Sequence, residues 1–88
     1  MNTEPYAMRT EAGLEVLTND KTLRYVLRKN RVLTRFEASD MYLCSTCVKD
    51  GDRWVKTSET ASYASVDEFV KAIKGLPEFS KAMQELDE

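Results

Sequence analysis

The sequence predicts an α+β fold: an antiparallel meander sheet of four to five strands, followed by two short helices packed on one of its faces. Three observations carry this. Apolar residues alternate from Gly13 to about Thr60, the period-2 signature of strands buried on one side. Turn-forming pairs interrupt the alternation at Asn19-Asp20, Lys29-Asn30, Ser39-Asp40 and Asp50-Gly51. After Tyr63 the apolar spacing becomes helical. At 88 residues the chain reads as a single domain, 1–88, with a modest core. A chain this small hides only about 60% of the surface its unfolded form exposes.

The elements follow in order. Residues 1–12 hold Pro5 and no clear period, so a loosely ordered arm is expected there. The sheet occupies 13–63. If each break is a two-residue turn, outward pairing sets Leu14 against Tyr25, Val16 against Leu23, and Leu27 against Val32. Continuing, Phe36 faces both Leu23 and Leu43, and Cys47 faces both Val32 and Trp54. All these side chains share one face, which becomes the core face, and a one-residue slip at any turn scrambles the partition.

The helical pair occupies 65–87. Ser65-Val66-Asp67-Glu68 reads as a capping box, with the Ser hydroxyl taking a free backbone N–H and the Glu reaching back. Phe69, Val70 and Ile73 recur at helical spacing, and Gly75 is placed as a left-handed stop. Pro77 is suited to open a second helix, because its missing N–H would be an orphan there anyway. Phe79, Ala82, Met83 and Leu86 stripe that helix. Helices this short are not stable alone, so both must cover the apolar sheet face.

The composition argues against catalysis. Histidine is absent, which removes the commonest general base and the commonest metal ligand. There is no GxxxxGK[ST] loop, no GxGxxG, and no carboxylate pair at a spacing that implies acid–base work. No enzymatic activity, catalytic residue or cofactor is therefore expected. No apolar run approaches the roughly 20 residues of a membrane helix, so no membrane association is expected. The start lacks a basic region and an apolar stretch, so a secretory leader is not expected. With only two cysteines, the expected location is the cytoplasm. Cys44-Ser45-Thr46-Cys47 is a CxxC, but a structural zinc site takes four ligands. Ordinary strand cysteines are one reading, and a zinc-bridged dimer through Cys44 and Cys47 is the other.

The positive signal is charge on a strand pair. The 13 basic and 15 acidic residues nearly cancel, yet Lys21 to Arg35 holds six basic residues and no acidic one. In the register above, Arg24, Arg28, Arg31 and Arg35 share the face opposite the core, with Arg28 across from Arg31 and Arg24 across from Arg35. Like charges so opposed are destabilising. Val26 and Leu33 lie between the arginines, and Tyr42 extends the same face. An apolar centre with an arginine rim has the anatomy of a protein-binding surface. Nucleic acid is the alternative partner, with arginines on phosphates and Tyr42 stacked on a base. The plainest reading is a solvated face that keeps the sheet soluble.

The stretch Ser65 to Pro77, followed by Ala82-Met83-Gln84-Glu85, resembles the end of the type I-F anti-CRISPR proteins, small phage-encoded inhibitors. The shared elements are the Ser-capped helix, the Gly75-Leu76-Pro77 link and the Ala-Met-x-Glu of the last helix, about a quarter of the chain. The resemblance implies a four-stranded antiparallel sheet followed by two short helices. It also implies a non-enzymatic protein of the host-cell cytoplasm that binds a CRISPR-Cas surveillance complex through its sheet and obstructs target DNA. It assigns no individual contact residue.

Overall fold

The computed structural model describes residues 4–87, apart from the Thr60 side chain. Strands β1 (Ala7–Arg9), β2 (Gly13–Leu17), β3 (Leu23–Leu33), β4 (Ala38–Asp50) and β5 (Arg53–Tyr63) form one antiparallel sheet in sequence order. Helix α1 (Val66–Lys74), a 3-10 turn at Pro77–Phe79 and helix α2 (Ser80–Leu86) follow. The α+β meander with both helices on one face is the arrangement that the change of period predicts.

The core lies between that face and the helices. Leu14, Val16, Leu27 and Cys44 from the sheet meet Phe69, Ile73, Phe79 and Ala82 from the helical segment, all of them buried. Aromatic contacts tie the layers: Tyr25 lies 4.9 Å from Phe79, and Tyr63 meets Phe69 edge-on at 5.3 Å. The Ser65 hydroxyl accepts from the Glu68 N–H at 3.2 Å, forming the Ser half of the capping box. The Glu68 carboxylate lies 3.9 Å from Lys71 Nζ. Gly75 is not left-handed: its φ is −83°, ordinary right-handed backbone. The helix ends instead because Pro77 forces the chain out of helical geometry at the residue before it, and Leu76 is extended.

Three expectations about the sheet are corrected. Within the segment expected to be a loose arm, Ala7–Arg9 pairs with β2 as an edge strand, and Glu85 Oε2 accepts the Ala7 N–H at 2.8 Å. Residues 1–3 of that arm lie outside the described residues. Lys29-Asn30 and Ser39-Asp40 are not turns but interior positions of β3 and β4. A two-residue hairpin turn needs positive φ at its centre, which Lys does not favour, so the strand runs on. The true reversal is Thr34–Glu37, where the Thr34 hydroxyl accepts from the Glu37 N–H at 3.0 Å and donates to the Glu37 carbonyl at 2.8 Å.

That extension changes the register. Leu14 pairs with Leu27 and Val16 with Tyr25, two residues on from the expected pairs. The inner set Leu14, Val16, Tyr25 and Leu27 is preserved by that even shift. Beyond it the faces exchange: Cys44 is buried in the core, whereas Val32, Leu43, Cys47 and Trp54 lie on the uncovered face and Phe36 in the turn.

The β2–β3 turn is built around Asp20. Its Oδ1 accepts from the Thr18 and Thr22 hydroxyls at 2.7 Å each and from the Thr22 N–H at 3.0 Å. Hydrogen bonds from Thr22, then from Thr18, hold the Asp20 carboxyl below the usual aspartate value. A depressed folded value means stability that is present above the unfolded pKa, about 4. That stability is lost as pH falls through the lower folded value. Asp20→Asn should flatten the acid limb of a pH–stability curve in this window, and an unchanged limb would show that Asp20 contributes nothing.

Candidate docking ribbon

The longest strands run past their neighbours. Strand β2 accompanies β3 only as far as Arg28, and β5 accompanies β4 only as far as Tyr42. Beyond the flanked Lys29–Tyr42 pair, the pairs Asn30 with Met41, Arg31 with Asp40, Val32 with Ser39 and Leu33 with Ala38 continue outward. A two-stranded ribbon therefore projects about 14 Å before its turn, given roughly 3.4 Å per residue. It makes the molecule elongated, at 49 × 29 × 21 Å.

The ribbon ends in an apolar tip. Leu33 is 74% exposed and Phe36 90% exposed. Both are large side chains next to a turn closed by the Thr34 hydroxyl and by a Thr34 N–H to Glu37 carbonyl bond of 2.8 Å. Behind the tip, on the face away from the helices, Val32, Met41, Leu43 and Val26 form a half-buried apolar strip, and Arg28 stands exposed beside Leu43.

The charge distribution is uneven. From Arg28 to Met41 there are four basic residues against two acidic, leaving nine basic against thirteen acidic elsewhere. Asp40 lies 3.6 Å from Arg31 Nε and 3.7 Å from Lys29 Nζ. Exposed pairs of this kind are worth under about 1 kcal/mol, so they orient the side chains more than they stabilise the fold. The ribbon stays net positive on an acidic body.

The seven residues expected to form one arginine-rimmed face are separated. Arg28, Arg31, Leu33 and Arg35 all lie on the ribbon or at its root. They do not share a face: Arg28 points with Val26 to the uncovered side, Arg31 and Leu33 to the other, and Arg35 sits in the turn. The expected Arg28–Arg31 and Arg24–Arg35 oppositions are absent from the register, where Arg31 instead faces Asp40. Tyr42 faces the helix side and packs against the core.

Arg24 is part of the fold. Its guanidinium lies 3.2 Å from Glu15 and 3.3 Å from Glu4, and it stacks 4.6 Å from the Trp54 ring. Phe36 is the functional candidate that the alternation misplaced, since it was assigned to the core. Spacing does not betray it: Leu33 and Phe36 are an odd number apart, which is also what a single strand with Leu33 outside and Phe36 inside would show.

The remaining chemistry is sparse. Cys44 is buried on the helix side and Cys47 points to the opposite face, so one metal ion cannot take both from a single chain. Among the described residues there is no cluster of three or more His, Cys, Asp or Glu placed to hold a metal. Burial, then the nearby Cys44 and Tyr25, push the Tyr63 phenol above its ordinary value. A depression of about 180 Å³ on the uncovered face is lined by Glu4, Pro5, Met8, Glu15, Leu17 and Arg24. No described helix is long and apolar enough to cross a membrane. Neither a family model, nor a curated protein, nor a solved structure matches the chain.

Proposed function

We propose that this chain is a non-enzymatic binding protein that docks on a protein partner through the β3–β4 ribbon and the apolar strip behind it. The observation that carries this is the tip, where Leu33 and Phe36 stand in solvent on a hydrogen-bonded turn. With the turn backbone already closed, binding has only the two side chains left to order, which lowers the cost of using them as anchors. The surrounding arginines, Arg28, Arg31 and Arg35, fit acidic groups around an apolar cleft on the partner.

The tail resemblance names a specific partner of this kind, a CRISPR-Cas surveillance complex whose access to target DNA is blocked. In this fold its shared residues serve as cap, link and core (Ser65, Pro77, Ala82), so it supplies a class of partner and no contact. A two-stranded ribbon also fits a duplex groove, and a net-positive one finds phosphates there. The apolar tip favours protein, and salt separates the two, because phosphate contacts give a steep salt slope.

The test is capture of the partner, first from host extract and then with a purified surveillance complex. The native chain should retain the partner, and a chain with Leu33→Asp and Phe36→Asp should not. Equal retention by the two chains would sink the proposal.

A further inference from the structure

The two outer edges of the sheet are guarded. Strand β1 is three residues long, and Glu85 Oε2 takes its outward Ala7 N–H at 2.8 Å. Strand β5 is broken by register shifts opposite Cys44/Ser45 and Thr46/Cys47. Short edge strands and bulges are how sheets avoid pairing with other chains.

The β3 side of the ribbon is neither short of partners by accident nor bulged. The Thr10–Gly13 turn leads the chain from β1 into β2, and the Ala12 carbonyl accepts the Lys29 N–H at 2.7 Å. Beyond Lys29 the line of β2 is vacant. Backbone groups alternate in direction along an antiparallel strand, so Arg31 and Leu33 turn their N–H and C=O the same way as Lys29. None of the described residues bonds those groups. The register with β4 runs without a shift from Leu23–Val48 to Leu33–Ala38, so the edge is regular. Lys29 and Arg31 project beside it and share the one Asp40 carboxylate, at 3.7 and 3.6 Å, which leaves one positive charge over. A second copy pairing by this edge would bring like charges together, whereas an acidic strand would be matched.

We infer that this edge takes an extended segment of the partner protein, which adds to the sheet as a strand beside β3 in the line that β2 vacates. The inference rests on reading the ribbon as the docking surface. Arg31 and Leu33 each exchange an N–H and a C=O with the incoming backbone, and side chains alternating across it supply selectivity. On the helix side they lie beside Lys29, Arg31 and Leu33, and on the uncovered side beside Asn30 and the half-buried Val32. The segment that fits therefore alternates acidic with apolar residues.

The probe is a short capped peptide of alternating glutamate and valine, titrated into isotope-labelled native chain and followed by NMR. The Arg31 and Leu33 amide signals should shift and their exchange should slow, with Asp40 on the opposite edge unchanged. A peptide of alternating lysine and valine should move neither. Proline is tolerated where a strand's N–H faces outward, so Arg31→Pro removes that donor and keeps the bonds to β4. It should bind the peptide about tenfold more weakly than Arg31→Ala, which loses the side chain alone. Unmoved Arg31 and Leu33 signals at millimolar peptide, pairing at Asp40 instead, or equal binding by the two variants overturns the inference. Slowing of the same amides with protein concentration alone would make the occupant a second copy and overturns it equally. If the edge fails while Leu33→Asp with Phe36→Asp still abolishes partner capture, the docking proposal stands through its side chains. Peptide pairing at Arg31 and Leu33 with capture indifferent to the tip would confirm the edge and remove the tip as anchor.

Discussion

Phe69→Ala should lower the unfolding free energy by about 3–5 kcal/mol, the usual cost of truncating a buried aromatic ring. Small domains hold only about 5–15 kcal/mol in total, so the variant should unfold at a much lower denaturant concentration. The position explains the size of the effect. Phe69 is fully buried, it meets Tyr63 edge-on at 5.3 Å, and its backbone sits one turn after the Ser65 cap. It is the main contribution of α1 to a core with few members, so the surrounding side chains cannot collapse into the space. Val55→Ala on β5, where the side chain is already 39% exposed, is the matching control and should change stability by under about 1 kcal/mol. Chemical denaturation of the two variants decides it. A loss at Phe69 no larger than at Val55 would mean that α1 does not close the core.

The second large effect should leave stability alone. Leu33→Asp with Phe36→Asp removes no buried contact, so the denaturation midpoint should move little. Partner affinity should fall about 100-fold or more, since anchor residues cost 2 kcal/mol or more each when lost and each 1.4 kcal/mol is tenfold. Under the docking proposal charge adds to this, because an aspartate at the tip would meet the acidic groups proposed to face Arg31 and Arg35. Calorimetric titration of the double variant beside the native chain measures it. A drop in affinity accompanied by an equal drop in stability would mean that the tip supports the fold rather than a partner.

The same residues show what the sequence could and could not reveal. Alternation in Gly13–Leu17 and the helical spacing of Phe69, Ile73, Phe79 and Ala82 placed most of the core, because burial on one face imposes its period directly on the apolar residues. The reversal at Thr34–Glu37 was illegible. It contains no Gly, Pro, Asn or Asp, and it is closed by a threonine hydroxyl that reads in sequence as another strand residue. Missing that one turn moved Phe36 into the core and Tyr42 out of it. It also set four arginines on a common face that the folded chain does not have. The concentration of positive charge survived the error, since four of the six basic residues from Lys21 to Arg35 lie on the ribbon or at its root. Arg24 is a different case: the hairpin pairing of β2 with β3 already sets Glu15 beside it, but its other partners, Glu4 and Trp54, come from distant parts of the chain. No local pattern announces such a contact.

The claim that the ribbon is the docking surface is tested most directly by amide hydrogen exchange with and without the partner. Protection should appear at the backbone amides of Lys29 to Met41 and at the neighbouring strip around Val26 and Leu43, with α1 and α2 unchanged. Protection confined to the helices, with the ribbon exchanging as fast as in the free chain, would contradict it.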